Sequence, residues 1–177
     1  MDRRFRKDSL LETERSFMHI WTLTRWQKTY SRDEFNRTGL KLRFDKDVHV
    51  EVRRACLVFC RWLKTEYVFP IRVPVYIKSA RQIKAMDGEL VSATIFLPDN
   101  RFEEPYIRVS TGDYLELERK RGQDDALAAI IQSISHELTH YYQWINDIKL
   151  TSIGAERQAS SYARFILDEY AQTHERP

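Results

Sequence analysis

The chain has 177 residues and a net charge of +3, and 42% of its residues are hydrophobic and 12% aromatic. This length and composition are typical of one globular unit with a core and exclude a disordered or fibrous chain. No apolar run is long enough to span a membrane, and no secretory signal is visible at the N-terminus. Two cysteines, Cys56 and Cys60, are interpreted as reduced core residues, so we expect a cytoplasmic protein.

The N-terminal segment combines a basic start with one predicted helix. Apolar residues recur at mostly helical intervals over residues 9–30, and Ser9 is a candidate N-cap. In one interpretation Trp21 and Trp26 are exposed on this helix and dock the chain onto a target protein. The preceding cations are interpreted as a solvated terminus, and an arm that contacts nucleic acid or an acidic protein is the alternative. These cations are Arg3, Arg4, Arg6 and Lys7.

The middle of the chain predicts a loop, a helix and then strands. A polar loop with one short strand, LKLRF, follows the first helix, so residues 1–47 are predicted to form an N-terminal helical extension. From Val48 to about Tyr67, apolar residues recur at steps of four, three and four, which predicts an amphipathic helix. The segment FPIRVPVYIKS contains two prolines and predicts a strand at a sheet edge. The segments LVSATIFL and PYIRVST predict an antiparallel hairpin.

The C-terminal part predicts two helices, the first of which carries the segment SISHELTHYYQ. The first helix begins at Asp124 or Asp125 and continues for about five turns, and the second begins near Gly154. His136 and His140, four residues apart, lie on one face of the first helix, about 6 Å apart along its axis. Both imidazoles can therefore bind one zinc ion, which in catalytic sites takes three protein ligands and keeps one position open. The alternative is a polar helix surface that carries two histidines.

Glu137 and Glu156 are the carboxylates that complete this candidate site. Glu137 follows His136 directly, so it projects beside the metal and is the candidate general base. No histidine occurs in the twenty residues after His140, whereas Glu156 lies at the start of the next helix. A carboxylate there closes a two-histidine, one-glutamate ligand set of the kind found in metal-dependent peptidases. The alternative role for Glu156 is a first-turn glutamate that interacts with the helix dipole.

The segments HELTH and ERQASSYA resemble the ImmA/IrrE family of zinc peptidases, a gluzincin family whose pattern reads H-E-L-x-H and then E-x-E-A-N/D-x-F-A. Glu156 matches the family's ligand glutamate, and the other matches are Ala159, Tyr162 and Ala163. Ser160 replaces an Asn or Asp that in related gluzincins hydrogen-bonds a zinc-bound histidine, so the resemblance implies that this support is weaker here or comes from elsewhere. The other departures are Gln158 for a usual glutamate and Thr139 for a common glycine. The resemblance extends from about residue 73 to 170.

Together these features predict an α+β fold. Residues 48–177 are expected to form a minimal gluzincin-like zinc metallopeptidase domain, in which a small antiparallel sheet packs on the active-site helix and the helix after it. The expected activity is hydrolysis of a peptide bond in a protein or peptide substrate, and the resemblance implies a regulatory protein as the target. Candidates for stabilising the oxyanion are Tyr141, Tyr142, Tyr162 and Arg164.

Other functions remain open at this point. One is a catalytically weak or inactive zinc-binding module that acts through protein–protein interaction. Another is an SprT-like peptidase that works at DNA, although that group takes a histidine as its third ligand and the segment after His140 offers none. Beyond the weakly basic N-terminus, the sequence indicates no nucleic-acid partner, and it indicates no membrane partner.

Overall fold

The computed structural model describes residues 19–29, 37–100 and 102–174, which form an α+β fold, as expected. A 3-10 turn, Ile20–Thr22, precedes five α-helices and six strands in this part of the chain. The helices are α1 (Trp26–Thr29), α2 (Val50–Glu66), α3 (Tyr114–Arg121), α4 (Gln123–Ile145) and α5 (Ser152–His174). The strands are β1 (Leu40–Phe44), β2 (Val73–Lys78), β3 (Ile83–Lys84), β4 (Leu90–Val91), β5 (Ala93–Phe96) and β6 (Tyr106–Ser110). Among the described residues, no helix has the length and apolar character to cross a membrane.

The main sheet has the strand order β1-β2-β6-β5 and is mixed, so the prediction of an antiparallel sheet is wrong. Strand β2 pairs in parallel with both β1 and β6, and only the β5–β6 pair is antiparallel. The short strands β3 and β4 form a separate antiparallel pair. A parallel pair joins segments that are distant in the chain, and the sequence carries no local signal for such pairing.

Strand β2 lies inside the sheet, which contradicts its predicted edge position. Its proline is tolerated because of where it falls in the hydrogen-bond ladder. The Val73 amide donates to Gly39 O, 2.9 Å away, on the β1 side. Since successive residues of a strand face opposite neighbours, Pro74 faces β6, and pairing there begins only at Val75 opposite Ile107. The missing N–H of proline therefore removes no bond to β6.

The predicted hairpin is confirmed for its central part. Ala93 pairs with Val109 and Phe96 with Tyr106, so β5 forms the edge of the main sheet. The first residues of LVSATIFL do not belong to this hairpin, because Val91 pairs with Ile83 in the smaller sheet. The segment LKLRF is confirmed as a strand, β1. Helix α3 was not predicted, since its sequence YLELERKR has little apolar periodicity.

The helix predicted from about Val48 to Tyr67 is confirmed as α2, whose inner face belongs to the main core. Cys56 and Cys60 are buried on that face as free thiols. Burial raises the pKa of Cys56 to about 12 and raises that of Cys60 as well. Helix α4 contributes residues to the same core, including Ile134 and Leu138, which are completely buried.

Trp21 and Trp26 are buried, with 2% and 4% of their surfaces exposed, so the prediction of an exposed docking helix is wrong for them. The described part of residues 9–30 is a 3-10 turn followed by α1, and residues 1–18 and 30–36 lie outside the described part. Trp21 stacks on Tyr142 at 4.9 Å between ring centroids and belongs to the same core as α2 and α4. The predicted boundary at residue 47 therefore separates elements that share one core.

Candidate metal centre

The turn between α4 and α5 determines which residues of the two helices meet. Helix α4 ends in a Schellman motif, in which the Ile148 amide donates to Gln143 O and the Asp147 amide to Trp144 O. Asp147 occupies the left-handed position of this motif with φ 51°. The chain then reverses, so that α5 runs antiparallel to α4, as expected. The first turns of α5 consequently lie beside the last turns of α4.

His136, His140 and Glu156 form a compact cluster at this contact. The two histidine Nε2 atoms are 3.3 Å apart. The Glu156 carboxylate places one oxygen 3.1 Å from Nε2 of His136 and the other 3.2 Å from Nε2 of His140. In a tetrahedral site with bonds of about 2.0–2.1 Å to zinc, neighbouring ligand atoms are about 3.3–3.4 Å apart. The observed distances are close to this spacing, although each Glu156 oxygen faces a different histidine, and the three side chains thus form a candidate zinc site.

The histidines of the cluster are partly buried, whereas the glutamate reaches it from the surface. The side chains of His136 and His140 are 24% and 13% exposed, and that of Glu156 is 63% exposed. Burial lowers the pKa of His136, and the nearby His140 lowers it further, while Glu156 opposes this effect. Since a neutral imidazole is the form that binds a metal, this environment favours a His136 ready to act as a ligand.

Glu137 lies beside the cluster without belonging to it. The metal-binding group comprises the other three residues, and Glu137 instead lines a cavity next to His136. Its side chain is buried, with 8% exposure. Burial, with a smaller contribution from the charge of Glu156, raises the pKa of Glu137 to about 8. In the metal-free chain this environment favours the protonated carboxyl at neutral pH, and the role of Glu137 as a general base stays a prediction.

Two separate cavities, together called the cleft, flank the cluster near the two ends of β5. On one side of the cluster lies a cavity of about 280 Å³ that contains His136 and Glu137. Its other lining residues are Ala93, Ala129, Gln132, Ser133, Ser160 and Ala163. On the other side, beyond His140, lies a cavity of about 380 Å³ that begins at Leu97, directly after β5. In the described part of the chain β5 is the edge strand of the main sheet, so it pairs with β6 on one side only.

Gln143 is a site residue that the sequence interpretation missed. Its Oε1 atom lies 2.8 Å from Nδ1 of His140. Its Nε2 atom donates to Ala155 O and to Gln158 Oε1, both at 3.0 Å. The signal in the sequence was its position three residues after His140, which places both on one helix face. Ser160 lines the first cavity, but within the described structure it makes no hydrogen bond to His136 or His140.

The structure does not bring the predicted oxyanion candidates to the cluster. The Tyr141 hydroxyl donates to Ile71 O at 2.6 Å and accepts from Ile71 N at 3.0 Å. The Tyr142 hydroxyl donates to Val68 O at 2.9 Å. These two hydroxyls are held by the segment before β2. Neither tyrosine lines either of the two cavities beside the cluster.

Tyr162 and Arg164 are placed elsewhere as well. The Tyr162 hydroxyl accepts from Ile20 N at 3.1 Å. Arg164 is exposed and lines neither cavity of the cleft. The Trp21 indole donates to Thr139 Oγ1 at 3.0 Å. Residues 20 and 21 thus contact both helices that carry the cluster, through Thr139 on α4 and Tyr162 on α5.

The cluster and its cleft are the features on which a function for this chain rests. No protein-family model matches the chain, and the searches of curated proteins and of solved structures found no match either. The similarity to the ImmA/IrrE family is therefore carried by the segments HELTH and ERQASSYA and remains a prediction.

Proposed function

We propose that this chain is a zinc-dependent endopeptidase that hydrolyses a peptide bond in a protein or peptide substrate. The observation that carries the proposal is the cluster in which the Nε2 atoms of His136 and His140 are 3.3 Å apart and each lies 3.1–3.2 Å from one oxygen of Glu156. Glu137 lies beside this cluster and lines a cavity of about 280 Å³ next to His136. The resemblance of the two motif segments to the ImmA/IrrE zinc peptidases supports the same assignment.

The residues of the cluster have different roles in this proposal. His136, His140 and Glu156 hold the ion, which when bound supplies Lewis-acid chemistry that lowers the pKa of water and polarises a carbonyl. Glu137 accepts a proton from the attacking water and delivers it to the leaving amine. Burial raises its pKa to about 8 in the metal-free chain, and the positive charge of a bound ion would lower that pKa and favour the carboxylate that accepts the proton.

The edge of β5 supports an extended peptide as the substrate. An open strand edge binds such a chain by main-chain hydrogen bonds, and neighbouring cavities select its side chains. The cavity next to Glu137 is lined partly by the small side chains of Ala93, Ala129 and Ala163, which leave room for a substrate side chain. The cavity beyond His140 carries charged groups at its rim, including Asp99 and Lys149, and takes a polar one.

One observation favours a second function, a catalytically weak or inactive zinc-binding module that acts through a partner protein. Ser160 occupies the position from which an Asn or Asp supports a zinc ligand in related gluzincins, and its hydroxyl reaches neither histidine in the described structure. Such support commonly changes metal affinity or activity about 10–100-fold. In this second function the cleft binds its partner without cleaving it.

Metal analysis and two substitutions test the proposal. Purified protein should contain about one zinc ion per chain. Glu137→Gln should keep the zinc and lose cleavage of a quenched fluorescent peptide library, because it removes the base but no ligand. Glu156→Ala should lose zinc to a chelator more readily than the parent. Glu89→Gln, at an exposed turn between β3 and β4, is the matched control and should change neither property.

Two outcomes would decide against the peptidase. The metal centre is contradicted if the purified protein contains no zinc and diethyl pyrocarbonate modifies both histidines whether or not zinc is added. A zinc-loaded protein whose Glu137→Gln variant keeps full biological activity in cells favours the binding module. Glu137→Gln should also retain an uncleaved substrate when it is used as bait in cells. Mass spectrometry of the captured protein then identifies that substrate.

A further inference from the structure

We infer that Gln143 is a positioning residue that selects the ring tautomer of His140 and connects this histidine to the first turn of α5. The inference deepens the proposed function and rests on it, because it concerns how the chain prepares one ligand for zinc. It starts from three hydrogen bonds of a single amide side chain that is only 7% exposed. Water therefore competes weakly for these bonds.

The orientation of the Gln143 amide follows from its contact with the main chain. The oxygen of Ala155 is a backbone carbonyl and can only accept a hydrogen bond. The atom of Gln143 that lies 3.0 Å from it must therefore be the amide nitrogen. The second proton of that nitrogen is donated to Gln158 Oε1 at the same distance. The amide oxygen is left to face His140.

This orientation determines which ring nitrogen of His140 carries the proton. The Gln143 oxygen, 2.8 Å from Nδ1, can only accept, so Nδ1 must donate. In its neutral form, which is the form that binds a metal, the imidazole carries one ring proton, and Nε2 then presents a lone pair. That lone pair belongs to the atom 3.3 Å from His136 Nε2 and 3.2 Å from a Glu156 oxygen. Gln143 thus prepares Nε2 of His140 as a metal ligand.

The same side chain also connects two ligands across the helix contact. Ala155 directly precedes Glu156, so the bond from Gln143 to Ala155 O holds the main chain next to the third ligand. His140, Gln143 and Glu156 are in this way linked by hydrogen bonds and one peptide unit. Since Ser160 supplies no bond to either histidine in the described structure, Gln143 provides the outer support for His140.

Two substitutions at Gln143 separate these roles. Gln143→Leu removes the acceptor for His140 and the donors to α5. Gln143→Glu keeps an acceptor for Nδ1–H but loses the donors to Ala155 O, so it should preserve the tautomer. Gln172→Leu, at an exposed position of α5, is the matched control. Thermal unfolding of each variant reports whether the fold is retained.

The first readout needs neither metal nor activity. Long-range ¹H–¹⁵N correlation spectra of the zinc-free full chain should show His140 protonated at Nδ1 at neutral pH in the parent, in Gln143→Glu and in Gln172→Leu. In Gln143→Leu the ring should shift toward the Nε2–H form. The second readout is a zinc affinity from competition with a chelator, which should fall about 10–100-fold in Gln143→Leu and remain at the parent value in Gln172→Leu.

Each result bears on a distinct claim. A parent His140 protonated at Nε2, or a Gln143→Leu variant that is folded and keeps both tautomer and zinc affinity, overturns the inference. If the tautomer depends on Gln143 but the chain binds no zinc, the assignment of His140 stands while the proposed function fails. If zinc binds and peptides are cleaved but the tautomer is independent of Gln143, the proposed function stands and the inference fails.

Discussion

Replacing Tyr141 with phenylalanine tests whether this tyrosine is a structural or a catalytic residue. Its hydroxyl makes two hydrogen bonds with the backbone of Ile71, one as donor at 2.6 Å and one as acceptor at 3.0 Å. Both residues are buried, with 0% and 2% exposure. Tyr141→Phe therefore leaves the N–H and C=O groups of Ile71 without these partners and without access to water.

The expected loss of stability follows from these two bonds. A hydrogen bond contributes about 0.5–1.5 kcal/mol net, and a buried polar group left without a partner costs about 1–3 kcal/mol. We therefore expect Tyr141→Phe to lower the free energy of unfolding by about 2–4 kcal/mol. For a chain of this size, each kcal/mol lowers Tm by about 2–4 °C. Tyr142→Phe, which loses the single bond to Val68 O, should lose about half as much.

Chemical denaturation and kinetics of the same variant give opposite outcomes for the two roles. If Tyr141 is structural, Tyr141→Phe lowers the midpoint of unfolding while kcat and zinc affinity stay at the parent values. If it stabilises an oxyanion, kcat falls about 10²–10³-fold. A variant with unchanged stability and a kcat reduced in that range would refute the placement of this hydroxyl.

Two further predictions concern packing in the core and near the sheet. Gly112→Ala should lower the free energy of unfolding by about 1–3 kcal/mol, measured by chemical denaturation. The reason is that a Cβ atom there would lie 2.5 Å from the backbone oxygen of Ser79. A free energy of unfolding equal to that of the parent would contradict this close approach. Cys56 and Cys60 should resist alkylation by iodoacetamide at pH 8 in the folded chain and react in denaturant, because burial raises the pKa of both thiols. Rapid alkylation of the native protein, followed by mass spectrometry, would contradict their burial.

The local part of the candidate site is predictable from the sequence for physical reasons. The four-residue spacing of His136 and His140 places both on one helix face whatever the rest of the fold does. Glu137 follows from the same spacing, since its direction relative to the first histidine is set by the helix. The amphipathic patterns of α2 and α4 also depend only on local periodicity.

The packing of the helices is less predictable, because it depends on contacts between distant parts of the chain. The burial of Trp21 needs Thr139 and Tyr142, which lie about two thirds of the chain away. The parallel pairing of β1, β2 and β6 joins segments separated by whole helices. No local pattern reports such contacts. Local reasoning alone therefore allows an exposed helix at Trp21 and an edge position for β2, although both are inside the folded chain.

Spacing along the chain is enough to predict a helix with two histidines on one face, a carboxylate beside them and a glutamate on the next helix. Which polar groups are in contact depends on how the separate helices and strands pack. In the folded chain the Glu156 carboxylate lies beside both histidines, and the Gln143 side chain hydrogen-bonds to His140. The Tyr141 hydroxyl donates to the main-chain oxygen of Ile71. Hydrogen bonds of this kind depend on the distance and direction between atoms of separate elements, and those are set when the elements pack together.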